Sequence, residues 1–147
     1  MGNSRFYLSN GGFSEYLYET VGQPKVINGL RAKIVKLKTD IKGTHSSLPQ
    51  YSNTSDIYFR LGQDGQPCQA KLYLSRRMCL DFDWDHEHKN SDGKVFKKGT
   101  VHVQVYSVNK DGTLSRMSDN ARYMTDREIE LYGEVIKAFY SDIKFRP

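Results

Sequence analysis

Between residues 56 and 117 the chain breaks into short runs in which apolar and polar side chains alternate, the two-residue period of a strand with one buried face. DIYFRLG and CQAKLYLS flank QDGQP, whose Asp64-Gly65 is a strong turn signal, and MCLDFDW follows as a third strand. After a loop holding Asp92-Gly93, TVHVQVYSV and TLSRM flank Asn109-Lys110-Asp111-Gly112 and predict a further hairpin. Asp-Gly turns between β-rich runs point to an antiparallel meander, because parallel strands need long crossover connections. The period then changes. Ile129, Tyr132, Ile136 and Phe139 recur at i, i+3, i+7 and i+10, one apolar stripe of a helix. Thr125-Asp126-Arg127-Glu128 ahead of it is a capping box, in which Thr125 and Glu128 each satisfy the other's free backbone N–H. Tyr123 reads as a staple just ahead of the helix, Arg122 as a structural or phosphate-facing cation, and Phe145 as a final latch on the sheet. The predicted fold class is α+β: an antiparallel β-meander sheet with a C-terminal helix packed on one face.

The first third is less regular. Residues 1–12, ending in Asn10-Gly11-Gly12, have the composition of a flexible arm, and residues 13–147 read as a single globular domain. Phe13, Leu17 and Val21 allow a short helix. In KVINGLRAKIVKLKTDIKG, Ile27, Leu30, Ile34, Leu37 and Ile41 lie at helical spacing, while Leu30, Ala32 and Ile34 also alternate like a strand. Asn28-Gly29 would favour a hairpin; the longer apolar spacing favours a helix from about Leu30 onward. Residues 43–55, GTHSSLPQYSNTS, form a polar loop containing His45.

Composition narrows the class. With 147 residues, ten Tyr and seven Phe, the chain has enough apolar surface to fold without disulfides or metal. Cys68 and Cys79 fall on separate predicted strands with no CxxC spacing, so they read as buried free thiols of a reducing compartment. No apolar run approaches a membrane span, the N-terminus lacks a signal-peptide core, and MGNSRF places Phe6 where a myristoylation signal needs Ser or Thr. The expectation is a cytoplasmic protein with no membrane partner and no cofactor. Net charge is +5, which inclines it toward anionic partners. From Lys25 to Lys42 the bases Lys25, Arg31, Lys33, Lys36, Lys38 and Lys42 face one acid, Asp40.

The densest chemistry lies in DFDWDHEHKN, residues 81–90, with four carboxylates' worth of Asp and Glu, two histidines and the only tryptophan. Extended alternation would put Leu80, Phe82, Trp84, His86 and His88 on one face and Asp81, Asp83, Asp85 and Glu87 on the solvent face. Three readings stand open. His86-x-His88, completed by His102 or a carboxylate, has the spacing of a zinc site. The same imidazoles can act as an acid/base pair, since histidine titrates near neutral pH. Or they are structural residues at a strand end. For the acid/base reading, Arg76, Arg77, Lys97 and Lys98 would hold phosphate, and Tyr106 shares the face of His102.

The run YFRLGQDGQPCQAKLYLSRRMCLDFDWDHEHKN followed by GTVHVQVY resembles the C-terminal modules of bacterial polymorphic toxins and phage head-associated proteins, of the barnase–EndoU–colicin-like ribonuclease group. The likeness covers about residues 57–106. It implies a compact sheet with helices and a metal-independent endoribonuclease with Asp83, His86 and His102 as site residues and Arg77 beside them. Where those modules often carry His-x-His in the second strand, this chain has His102-Val103-Gln104, and Gln104 is no general acid; His88 is the candidate substitute. Two functions follow as expectations. One is an RNA-cleaving protein of toxin or prophage origin, with His86, His102, Asp83 and His88 as catalytic residues. The alternative is a non-enzymatic phage or mobile-element protein that binds and inhibits a host defence complex of protein and nucleic acid.

Overall fold

The computed structural model describes residues 18–37, 48–52 and 54–147. The arm and the short helix expected before Tyr18, and His45, Lys38 and Lys42, lie outside the described residues. Nine strands and one helix follow in order: β1 (Tyr18–Ile27), β2 (Leu30–Leu37), β3 (Ile57–Leu61), β4 (Pro67–Leu74), β5 (Arg77–Asp83), β6 (His88–Lys89), β7 (Val95–Phe96), β8 (His102–Val108), β9 (Leu114–Arg116) and α1 (Asp126–Phe139).

The expected α+β class is what the chain adopts. Seven strands form one sheet in the order β1-β2-β3-β4-β5-β8-β9, and β6 and β7 make a separate small hairpin. Every pairing is antiparallel except β2 with β3, which run parallel. The helix expected from Leu30 is corrected to strand β2. Asn28 (φ 52) and Gly29 (φ 79) occupy the two left-handed positions of a tight hairpin turn, and β2 gains a partner on each side. Tyr18–Val21, likewise expected in a helix, belongs to β1.

The two sheet faces differ. Ala32, Ile57, Phe59, Ala70, Leu72, Phe82 and Val103 form an apolar face that packs with Val135, Ile136 and Phe139 of α1. Phe59 stacks on Phe139 at 4.1 Å, and Trp84 reaches Tyr140 at 6.1 Å while its Nε1–H donates to Pro67 O. The helix begins as its sequence predicts: Thr125 accepts from Glu128 N–H, and Glu128 reaches back to Thr125 N–H at 2.9 Å. Arg122 forks onto Glu128 at 2.7 and 2.8 Å, so its role here is structural. Phe145 lies against Gly133, and Tyr123 packs on Phe96. Both cysteines are free, and burial raises both thiol pKa values to about 11.

The opposite face is mixed: Val35, Leu48, Tyr58, Tyr73 and Met78 form a second, smaller apolar cluster, and beside it the face is polar yet largely buried. The strand registers align Tyr58, Lys71, Asp81 and Gln104 in one line across β3, β4, β5 and β8, and Arg60, Gln69, Asp83 and His102 in the next. Lys71, Asp81, Gln69, Gln104 and His102 are all buried. Arg60 Nε donates to Gln69 Oε1 at 2.9 Å, and Gln69 Nε2 donates to Asp81 Oδ1 at 2.8 Å. The expected solvent row of carboxylates is therefore corrected at Asp81, which is 8% exposed inside this network.

Candidate metal centre

His102 opens β8 and lies opposite Asp83, the last residue of β5, at the end of the second polar line. Beyond Asp83 the strand stops. Asp83 Oδ1 accepts from Asp85 N–H at 3.3 Å, and the turned chain returns as β6, whose His88 pairs with Phe96 of β7. Gly99 (φ 92) then turns the chain from β7 into β8, its N–H donating to Trp84 O at 2.9 Å. His86 sits in the first turn, His88 on the hairpin and His102 on the main sheet. Two chain segments thus deliver the three histidines: His86-x-His88 after β5, and His102 at the start of β8.

The imidazoles converge. One ring nitrogen from each of His86, His88 and His102 lies within 4.8 Å of the others. His88 stacks on His102 with ring centroids 4.9 Å apart, and His86 meets His102 nearly edge-on at 5.9 Å. Phe96 closes the apolar side at 5.6 Å from His102. Exposure grades across the cluster: His86 is exposed, His88 half-buried and His102 buried.

Asn90 orients His88. This buried amide is held by Ala121, donating Nδ2–H to its carbonyl at 2.8 Å and accepting its N–H on Oδ1 at 2.9 Å. His88 Nε2 lies 2.9 Å from that same Oδ1, an acceptor, so Nε2 is the donor and the ring is oriented by this bond. A carbonyl behind the far ring nitrogen is the usual arrangement around a metal-binding histidine. His102 supplies a second signal: its buried Nδ1 makes no hydrogen bond. Burial first, then the neighbouring charges of His88 and His86, push the His102 pKa down to about 4. At pH 7 it is a neutral imidazole, protonated in roughly 0.1% of molecules, which suits a ligand better than a general acid.

The structure brings His86, His88 and His102 together, with Asp83 at the same edge. Lys97 and Lys98 are exposed on the link between β7 and β8, a few residues before His102 in the chain. Arg76 and Arg77 are not part of it. They stand at the far end of β5, about 20 Å along the strand by its rise per residue. Arg77 donates to Gly112 O at 2.6 Å and lies over the Tyr51 ring. Gln104 points to the polar face, its Oε1 buried and without a partner, and Tyr106 accepts from Arg116 at 3.1 Å. Sequence reasoning missed Asn90, whose only signal was its place two residues after His88.

Comparison of the chain with protein-family models, curated proteins and solved structures gave no match. No helix among the described residues is long and apolar enough to cross a membrane.

Proposed function

We propose that the protein is a metal-binding domain that holds one divalent transition-metal ion, zinc foremost, through His86, His88 and His102. The observation that carries this reading is the meeting of three imidazole nitrogens within 4.8 Å, two from His86-x-His88 and one from β8. Imidazole nitrogens suit zinc, copper, nickel or iron. Ligands of a tetrahedral zinc, each about 2.0–2.1 Å from the metal, lie roughly 3.3 Å from one another. Small side-chain adjustment, chiefly of the exposed His86, closes the set around His88, held by Asn90, and the buried His102.

Three protein ligands leave a fourth position open, the pattern that separates hydrolytic zinc centres from closed structural ones. When bound, such an ion lowers the pKa of its water toward neutrality and polarises an oxygen of the substrate. The chain's own contribution is orientation: Asn90 holds His88, Phe96 and the sheet hold His102, and His86 faces solvent where a substrate enters. The RNA-cleaving role suggested by the toxin-module likeness is, on this reading, metal-assisted. Lys97 and Lys98 remain at hand for a phosphate, and His86 and His102 serve as ligands instead of an acid/base pair.

The test is zinc titration by calorimetry on the chelator-stripped protein, beside His86→Ala, His88→Ala and His102→Ala variants. One zinc per chain is expected, weakened at least 100-fold by His102→Ala, and Asn90→Ala should weaken it about 10- to 100-fold. Equal zinc affinity in wild type and His102→Ala would overturn the assignment. In parallel, mixed RNA is incubated with and without EDTA. Cleavage that persists in EDTA and depends on both His86 and His102 would restore the acid/base mechanism.

A further inference from the structure

The arginine pair singled out in the sequence is not used by the histidine cluster, yet one of its members lines a cavity of its own. The β4–β5 turn is made by Ser75 (φ 50) and Arg76 (φ 69), two side-chain-bearing residues in the left-handed region where Asn-Gly is ordinarily preferred. Strain of this kind, of order 1 kcal/mol per residue or more, persists where the surrounding structure fixes it and concentrates at ligand sites. The turn faces the segment leading into β3. Between them lies a pocket of about 220 Å³ lined by Arg31, Ser52, Thr54, Ser55, Asp56 and Arg76, with Tyr73 and Ser75 completing the wall.

Its walls are set by local bonds. Ser52 N–H donates to Arg76 O at 2.8 Å; Ser52 Oγ donates to Ser55 O at 2.6 Å and accepts from Ser55 N–H at 3.1 Å. Asp56, the acid of the pocket, is committed to the strand junction: its Oδ2 accepts from Arg31 N–H at 2.8 Å. Lys33 reaches the rim, donating from Nζ to Thr54 Oγ1 at 3.2 Å. The guanidinium groups of Arg31 and Arg76 make no hydrogen bond or ion pair with any described residue. The lining thus includes two arginines whose guanidiniums have no partner among the described residues and one engaged carboxylate, with the Lys33 ammonium held at Thr54.

We infer that this pocket is a binding site for a phosphate oxyanion, free or as a monoester, gripped by Arg31 and Arg76 with Lys33 at its rim. Planar guanidiniums present paired N–H donors that match phosphate geometry, and Arg is favoured over Lys where that fit matters. The pocket is separated from the histidine cluster by the length of β5, so the site stands independently of the metal reading.

The experiment is an NMR titration of the full chain in EDTA with inorganic phosphate and, separately, ribose 5-phosphate, with chloride as the ionic-strength control. Saturable shifts are expected in the Arg31 and Arg76 side-chain N–H signals and in the Ser52, Ser55 and Asp56 amides. Arg76→Gln and Arg31→Gln should each weaken binding at least tenfold, and Arg76→Lys should recover part of the loss. These exposed substitutions leave the backbone bonds in place, and unchanged amide spectra elsewhere verify the fold. His102→Ala should bind phosphate like wild type. Tighter binding of the sugar ester identifies a monoester ligand; equal binding identifies free phosphate. Absence of saturable shifts, or shifts that survive in the Arg31→Gln/Arg76→Gln double variant, overturns the site.

Discussion

The two faces of the same central strands were built to opposite rules. Toward α1, residues such as Phe59, Leu72, Phe82 and Val103 are apolar, fully buried and in contact with one another. On the other side the same strands bury Lys71, Asp81, Gln69, Gln104 and His102. An apolar face gains stability simply by leaving water. A buried polar face costs desolvation and recovers it only through pairing. Arg60, Gln69 and Asp81 are linked in a hydrogen-bonded chain with Lys71 across from Asp81, whereas Gln104 Oε1 and His102 Nδ1 are left without partners. The helix side holds the larger apolar core, the other side a smaller one, and the unfinished part of its polar stretch is where the histidines meet.

The contrast can be broken most forcefully from the apolar side. Phe59→Ala removes a ring that is 0% exposed and stacked on Phe139, and should cost about 3–5 kcal/mol in denaturant unfolding. A loss under 1 kcal/mol would show that this face is not the main support of the fold.

On the polar side, Asp81→Ala strips Gln69 Nε2 of its buried acceptor and removes the carboxylate opposite Lys71, and should cost roughly 3 kcal/mol. Burial lowers the Lys71 pKa and raises that of Asp81, each shift opposed by the other's charge. Replacing both, Lys71→Met with Asp81→Leu, should therefore recover most of that stability. If the double variant is as weak as Asp81→Ala, the pair is not what the network protects.

A smaller effect separates the faces by pH. In metal-free protein His102 titrates at about 4, against an unfolded value near 6.5. Between those values the unfolded chain binds more protons, so stability is complete above about pH 6.5 and falls as pH drops toward 4. The loss is on the order of 3 kcal/mol. His102→Gln should flatten that segment of the stability-versus-pH curve, measured in EDTA; an unchanged slope would assign it to other groups.

The smallest change lies outside both faces. Thr125→Ala removes one half of the capping box and should cost about 1 kcal/mol in the same denaturant assay. An effect within 0.3 kcal/mol or so would mean that Arg122, bridged to Glu128, holds the helix start by itself.

Local rules explain what could be read without coordinates. Asp64-Gly65 and Asn109 to Gly112 turn the chain wherever they occur, and Thr125 with Glu128 caps a helix through bonds three residues apart. Those signals yielded the hairpins, the helix, the apolar stripe and the α+β class. The segment from Leu30 failed because its apolar spacing fits both periods; Asn28-Gly29 and the availability of β1 and β3 as partners decided for a strand. The face assigned to His86 and His88 by alternation failed because the alternation ends at Asp83, where the chain turns back. His86, His88 and His102 were named from the sequence, but their convergence depends on the His86-x-His88 stretch meeting the start of β8, and the distance between Arg76 and that cluster depends on which end of β5 each occupies. Sequence by itself determined what is governed by neighbours a few residues apart. Only the tertiary structure decided which polar side chains are buried and which reactive groups share a site, because burial and proximity arise from pairing between strands far apart in the chain.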